Sequence, residues 1–273
     1  MVYEQEAEEL RKIAVKVAGE AAALLRDCAC NEAYTIKVQG ETIVADKVSE
    51  DYVVEALRRE GLKLEGISEE RGRFKINGGG YLKVAIDPLD GSNNYSLCVP
   101  WASVSIAFAY GNRLRDVVAG AVAPIFQTSP FSFATGRGCF YGGKRVSRSD
   151  IKLERGEKII VIYFDEERSE VAIKTLNALK KSIGSLKVRS LGSAALEICY
   201  VALGKFVAFV DLRNRLRNVD VAAALGFLRE LSGEAFSLSG EPVDSPLEDV
   251  VKLNEVVASS DPKIALKIVK LVV

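Results

Sequence analysis

The chain has 273 residues, 48% of them hydrophobic, with Lys+Arg and Asp+Glu both at 37 and no histidine. That length accommodates one large domain or two packed subdomains, and a formal net charge of zero gives no basis for a nucleic-acid surface or a strongly acidic partner. The missing histidine excludes Ser-His-Asp triads, Cys-His pairs, phosphohistidine chemistry and the usual zinc enzymes, leaving carboxylates, hydroxyls, Lys, Arg, Tyr, Cys or a metal-activated water.

The first residues are acidic (Glu4, Glu6, Glu8, Glu9), unlike a secretory signal, and no apolar run is long enough to span a bilayer. A soluble cytoplasmic protein is the expectation, with no nucleic-acid or membrane partner. Cys28, Cys30, Cys98, Cys139 and Cys199 are odd in number and scattered, so they read as buried free thiols in a reducing compartment. A single Met among abundant charge points to a thermophilic source.

In chain order, residues 3–27 read as a long amphipathic helix with Leu10, Ile13, Val17, Ala21 and Leu24 on its apolar face. Residues 34–38 read as a strand, and 46–60 as a helix that Asp46 caps. A short strand over 62–67 ends at Ser68-Glu69-Glu70, and the Asn77-Gly78-Gly79-Gly80 turn leads into a buried strand over 81–86. Strand-like runs follow at 102–110, 116–126 and 132–134, with hairpins at Gly111-Asn112 and Gly142-Gly143.

Past residue 151 the pattern alternates. Strands are expected at 158–164, 186–189, 206–211 and 251–258, and helices at 169–181, 193–203, 219–231 and 262–272. The boundary between the two patterns falls near 147–154, giving an α+β part over 1–148 and an α/β part over 149–273.

Two short motifs mislead. Cys139 and Arg145 have the Cys-x5-Arg spacing of a cysteine phosphatase loop, but a hairpin-like turn separates them and no helix pattern follows. Gly136-Arg137-Gly138 starts a dinucleotide fingerprint whose third glycine position is Tyr141, without a strand-turn-helix context.

The stretch that concentrates chemistry is Asp87-Pro88-Leu89-Asp90-Gly91-Ser92-Asn93-Asn94, at the end of the 81–86 strand. Pro88 fixes one backbone angle and pushes Asp87 towards an extended conformation, so both carboxylates and the Leu89 carbonyl can face one space. Oxygens converging there, followed by free amides, suit a hard divalent cation holding a phosphate; an ordinary Asp-Gly turn is the plainer reading. Glu69, at a neighbouring strand end, is a third ligand candidate, against its reading as a solvated acidic loop. Asp220 is a fourth, in the first turn of an apolar helix that Asn218 can cap, although an acid there is stabilising by itself.

Asp87-Pro88-Leu89-Asp90-Gly91-Ser92-Asn93, with Glu69-Glu70 upstream and Asp220-Val221-Ala222-Ala223 downstream, resembles the inositol monophosphatase superfamily. Its archaeal branch is the best match: bifunctional fructose-1,6-bisphosphatases and inositol monophosphatases. Residues 45–51, 191–197 and 207–213 extend the resemblance along almost the whole chain.

The resemblance implies a layered αβαβα sandwich. It implies two or three Mg²⁺ ions, replaceable by Mn²⁺, on Glu69, Asp87, the Leu89 carbonyl, Asp90 and Asp220. Ser92 and Glu69 would orient the attacking water, and Asp46 would support the metals as a nearby acid. Phosphate would lie on the Gly91 and Ser92 amides beside Asp90, with Arg189, Ala194 and Arg213 binding the rest of the substrate. Lys37 falls near a mobile catalytic loop. The family's Trp before the last acid is Val219 here, which alters packing and leaves the ligand.

The expected activity is Mg²⁺-dependent hydrolysis of sugar phosphate monoesters by a metal-activated water, with a homodimer implied by the resemblance. Arg213 and Arg189 point to fructose-1,6-bisphosphate first and inositol-1-phosphate second, because a distal phosphate is what two arginines would clamp. A dedicated inositol monophosphatase and a nucleotide 3′-phosphatase are the alternatives within the class. A sugar-phosphate binding protein without catalysis is the alternative outside it.

Overall fold

The computed structural model describes residues 2–151 and 158–272, so the boundary expected near 147–154 lies partly outside the described residues. Helix α1 (Val2–Asp27) buries Leu10, Ala14, Val17, Ala18, Ala21 and Leu25. Ile13 and Leu24, expected on that face, lie half-buried at its margins. A short α2 (Glu32–Thr35) replaces the strand expected at 34–38, because the Asn31 side chain accepts from Ala33 N–H at 3.0 Å and caps a helical turn. The small hairpin of β1 (Lys37–Gln39) and β2 (Thr42–Ile43) then leads into α3 (Val44–Arg59). That helix starts two residues before the expected position. Asp46 caps it from inside, its Oδ2 accepting from Ile43 N–H at 2.7 Å.

Eight strands build the first sheet: β3 (Leu64–Ser68), β4 (Gly72–Ile76), β5 (Leu82–Asp90), β6 (Ser103–Ala109), β7 (Val117–Pro124), β8 (Phe131–Ala134), β9 (Gly138–Tyr141) and β10 (Lys144–Val146). A short helix, α4 (Ser92–Ser96), interrupts the chain between β5 and β6. The strand order is β10-β9-β8-β7-β6-β5-β3-β4. Every neighbouring pair is antiparallel except β3 and β5, which are parallel. The exception arises because β4 turns back on the outer side of β3, and the chain then crosses to its inner side.

The second sheet takes β11 (Lys158–Tyr163), α5 (Ser169–Ile183), β12 (Leu186–Arg189), α6 (Ala194–Ala202), β13 (Ala208–Asp211), α7 (Asn218–Glu230), β14 (Glu234–Phe236), β15 (Val256–Ser259) and α8 (Pro262–Val272). Its order is β12-β11-β13-β15-β14, parallel across the first three strands and antiparallel across the last three. β4 and β14 are strands that apolar patterning did not mark. The strand expected from Val251 starts at Val256, since residues 251–253 instead pair with the turn before α7.

Three apolar clusters fill the spaces between layers. One joins α1 and α3 to the first sheet, a second packs α6 and α7 between both sheets, and a third covers the second sheet with α5 and α8. The architecture is the expected αβαβα sandwich. Helix α7 approaches the first sheet so closely that a Cβ on Gly226 would lie 2.0 Å from the Phe133 ring. Among the described residues, no helix is long and apolar enough to cross a membrane.

The cysteines depart from expectation. Cys139 and Cys199 are buried free thiols and Cys28 is free and half-buried, but Cys30 and Cys98 form a disulfide, their Cα atoms 5.2 Å apart. Their 68-residue separation hides the pairing from any spacing rule, and it is the docking of α2 beside α4 that brings them together. Cys139 lies in β9 with its thiol pushed up by burial, and Arg145 sits across the hairpin, so the Cys-x5-Arg spacing is a strand pair.

Candidate active site

The parallel pairing of β3 and β5 places their C-terminal ends side by side. Ser68 pairs with Ile86, and Glu69 N–H donates to the Ile86 carbonyl at 3.2 Å, so Glu69 and Asp87 leave adjacent strand ends together. Opposite β6, Asp87 pairs with Ser105 and Asp90 with Ser103, so the Pro88-Leu89 step bulges out of the ladder. Proline cannot donate to a ladder, and a bulge re-aims the side chains around it. Pro88's carbonyl accepts from Ser49 Oγ at 2.6 Å, and Leu89 N–H donates to Asp87 Oδ1 at 3.1 Å.

The third acid arrives from α7. Residues 251–253 bond the backbone on either side of its start: Leu253 N–H donates to the Leu216 carbonyl (2.7 Å) and Asn218 N–H to the Val251 carbonyl (3.0 Å). Asn218 is not the cap expected from the sequence. Its buried amide donates to the Pro246 and Asp249 carbonyls, each at 2.7 Å. Asp220 does the capping, its Oδ2 accepting from Arg217 N–H at 2.8 Å.

Ligand oxygens of Glu69, Asp87 and Asp220 therefore lie within 4.8 Å of one another. Asp220 Oδ1 is buried and takes no hydrogen bond among the described residues. An oxygen-only donor set with an unused buried lone pair fits a hard divalent cation.

Asp90 stands apart from that trio. Its Oδ1 accepts from Ala194 N–H (3.1 Å), and its Oδ2 from Ala195 N–H (2.9 Å), Ser193 Oγ (2.5 Å) and Ser103 Oγ (3.3 Å). The first turn of α6 thus holds Asp90, and Ala194 meets it there. Gly91 follows with φ of 97°, and an added Cβ would lie 3.0 Å from the Gly192 and Trp101 carbonyls, so only glycine fits. Asn94 Nδ2 donates to the Leu191 (2.6 Å) and Trp101 (2.8 Å) carbonyls, fixing the α4 segment between the two halves.

Burial dominates the electrostatics. It raises Glu69 to about 8, assisted by Asp220 and opposed by Arg217. Asp87 is pushed well above the carboxylate range by burial, then by Glu69 and Asp90. Asp90 rises to about 7 through burial, against the Ser193 hydroxyl, and Asp220 rises through burial, against Arg217. Asp46 also reaches about 7 by burial, against its bond from Ile43. Acids held this close together favour either protons or a cation.

A cavity of about 220 Å³ opens on this cluster, lined by Glu41, Thr42, Asp46, Glu69, Glu70, Ser92 and Arg217. Ser92 and Asp46, both named from the resemblance, line this cavity. Glu70 was named from the sequence only as part of the upstream Glu-Glu pair, and Arg217 was not named at all. Thr42 Oγ1 donates to Glu70 Oε2 at 2.5 Å, which ties the β1–β2 hairpin to the site. Arg217 pairs with Glu69, and the signal that could have found it is its place three residues before Asp220.

The two arginines expected to bind substrate do not line this cavity. Arg213 is engaged: Nη2 and Nε donate to Asp211 Oδ2 at 2.5 and 3.1 Å, and the guanidinium lies 4.2 Å from the Tyr163 ring centre. Tyr163 donates in turn to Glu197 Oε2 at 2.6 Å and accepts from Gly192 N–H at 2.5 Å. Arg189 is exposed at the end of β12, its Nη1 donating to the Val188 carbonyl at 2.8 Å. Lys37 is exposed on β1.

An αβαβα sandwich with a carboxylate cluster beside a glycine-anchored turn is built to hold a hard cation at one end of a sheet. The model of the inositol monophosphatase family matches residues 6–273, and the chain belongs to that family of phosphoric monoester hydrolases. An inositol-1-monophosphatase of Aeropyrum pernix is 46% identical over 261 residues, covering 95% of this chain and 96% of that protein. A fructose-1,6-bisphosphatase/inositol-1-monophosphatase of Archaeoglobus fulgidus is 30% identical over 233 residues, covering 85% and 83%. Among solved structures, a Pyrococcus horikoshii protein described as having similarities to inositol-1 monophosphatase aligns with a TM-score of 0.79 at 25% identity, covering 97% and 98%.

Proposed function

We propose that the chain is a Mg²⁺-dependent phosphatase of inositol and sugar phosphate monoesters. The observation that carries this reading is the convergence of Glu69, Asp87 and Asp220 oxygens within 4.8 Å, beside a cavity that Ser92 also lines. In this reading Glu69, Asp87, the Leu89 carbonyl, Asp90 and Asp220 hold two or three ions. When bound, Mg²⁺ supplies positive charge against the phosphate and its leaving oxygen, and lowers the pKa of water.

The remaining work falls to side chains and amides. Glu69 and the Ser92 hydroxyl orient the attacking water on the far side of phosphorus from the leaving oxygen. The Gly91 and Ser92 amides receive the phosphate oxygens, and the left-handed turn at Gly91 is what exposes them. Asp46 holds Ile43 N–H, and with it the hairpin that bears Thr42. Ala194 at the start of α6, Arg213 and Arg189 select the alcohol part of the ester. A cytoplasmic location in a thermophile belongs to the same reading, since intracellular disulfides persist in hyperthermophiles.

Two observations favour inositol-1-phosphate as the first substrate and fructose-1,6-bisphosphate as the second, reversing the order drawn from the sequence. Asp211 engages Nε and Nη2 of Arg213, the edge that a bidentate phosphate clamp would use. The Aeropyrum pernix relative at 46% identity is named for inositol-1-phosphate hydrolysis. Arg213 remains placed for the bisphosphate whenever a second phosphate outcompetes Asp211.

Phosphate release from inositol-1-phosphate, fructose-1,6-bisphosphate and a nucleotide 3′-phosphate, with Mg²⁺ and with EDTA, tests the reading. Release from the first two that requires Mg²⁺ is expected. No release from any ester sinks the enzymatic assignment, and preference for the nucleotide moves it to another substrate class.

A further inference from the structure

The carboxylates of the site already have a cation among them. Arg217 Nη2 donates to Glu69 Oε1, and Arg217 Nε lies 3.4 Å from Asp220 Oδ1. Glu69 and Asp220 are two of the three acids whose oxygens converge within 4.8 Å. Asp220 Oδ1 has no hydrogen-bond partner among the described residues, so the guanidinium faces it as a charge and not as an aligned donor.

The surroundings let this side chain move. Arg217 lines the cavity and its side chain is 35% exposed, so a path into solvent exists. Its structural duty rests on the backbone: the N–H bond to Asp220 Oδ2 caps α7 whatever side chain position 217 carries. The guanidinium is therefore free to serve the acids alone. Lys47 is directed to Glu70 instead, its Nζ donating to the Glu70 carbonyl at 3.4 Å and lying 4.0 Å from Glu70 Oε2.

We propose that Arg217 is a displaceable resident cation. Its guanidinium holds Glu69 and Asp220 together in the metal-free protein and yields them when a divalent cation arrives, so Arg217 sets the metal affinity of the site. The proposal rests on the metal-site reading above. A fixed positive charge touching two ligand carboxylates repels an incoming cation, so the site binds Mg²⁺ more weakly than its acids alone would. In exchange, the empty cluster does not spring apart by mutual repulsion.

Wild type, R217M, R217Q and R217K are stripped with EDTA and dialysed, then titrated with MgCl₂ by calorimetry and melted with and without Mg²⁺. R217M and R217Q are expected to melt below wild type without metal, bind Mg²⁺ at least about tenfold more tightly, and gain more in Tm on adding it. R217K keeps the charge and is expected within about threefold of the wild-type affinity, which a role in packing alone would not predict. R217Q, which keeps polar contacts, decides the matter if R217M does not fold without metal. Wild-type binding with unchanged or weaker binding by R217Q overturns the role of Arg217. Absence of Mg²⁺ binding by every form overturns the metal-site reading itself.

Discussion

Glu69 and Asp87 meet because the strands that carry them run in the same direction, and Glu69 N–H is bonded to the carbonyl of Ile86 at 3.2 Å. In a sheet otherwise built from antiparallel neighbours, this single parallel pair sets two acids side by side at one edge. An antiparallel pairing would put them at opposite ends of their strands. Asp220 then closes the group from α7, whose start is stitched by the 246–253 segment.

Asp87→Asn isolates the contribution of charge. Asn retains an oxygen for the Leu89 N–H bond at 3.1 Å, so the bulge keeps its support. One buried like charge also leaves the cluster. Phosphate release is expected to fall on the order of a thousandfold, while the Tm in EDTA stays level or rises. An active variant, or one that is inactive only because it melts early, contradicts the ligand assignment. Asp90 is a poorer probe, because its carboxylate accepts from two α6 amides and two hydroxyls that Asn could not all serve.

The metal-free protein should lose stability as pH rises. Burial lifts Glu69 from its usual 4.5 to about 8 and Asp90 from 3.8 to about 7. Between the unfolded and folded values the folded chain holds more protons than the unfolded one, so raising the pH favours unfolding. In EDTA, Tm is expected to fall steadily from pH 5 to pH 8.5, on the order of several degrees. Cation binding expels those protons, so the Tm gained on adding Mg²⁺ should grow over the same interval. A flat profile in EDTA contradicts the protonated cluster.

Much of this was legible in the chain, for identifiable reasons. The Asp87–Asn94 stretch packs its acids, its proline and its glycine into one local segment, so its chemistry survives without any knowledge of the fold. Long helices such as α1, α5 and α8 are visible because the apolar period of a helix persists over their length. What escaped was long-range. Arg217 reads as one of three closely spaced arginines until the fold sets it against Glu69, 148 residues away. Cys30 and Cys98 become partners only when α2 docks on α4. β4 and β14 are short strands whose pairing, not their composition, defines them. Asn218 looked like a helix cap because its amide was judged by its neighbours in sequence, whereas its Nδ2 donates to the Pro246 and Asp249 carbonyls.

The Cys30–Cys98 bond closes a 68-residue loop that contains α3, β3, β4 and β5, and with them Glu69, Asp87 and Asp90. Chain-entropy arguments put the stabilisation from closing a loop of that length at about 4 kcal/mol. In a chain of this size that corresponds to a Tm loss on the order of 10 °C upon reduction. Scanning calorimetry with and without dithiothreitol measures it, and Cys98→Ser should melt at the reduced temperature and ignore the reductant. A wild-type Tm that does not respond to dithiothreitol, with thiol titration confirming reduction, contradicts a stabilising role for the bond.

Substrate preference should turn on the pair Asp211 and Arg213. Asp211 is buried, accepts from Arg213 N–H at 2.8 Å, and holds the guanidinium through Nη2 and Nε. Asp211→Asn keeps an acceptor for the backbone N–H but removes the charge that restrains the arginine. The freed fork then has an edge to offer a second phosphate, which inositol-1-phosphate does not possess. Relative kcat/KM for fructose-1,6-bisphosphate over inositol-1-phosphate is expected to rise about tenfold in Asp211→Asn, the worth of one charge-assisted contact. Arg213→Gln should cut the same ratio below wild type, and in the double variant the gain from Asp211→Asn should vanish. Parallel losses on both esters, or a ratio that ignores Arg213, would show that this arginine supports the Tyr163–Glu197 wall and takes no part in choosing the ester.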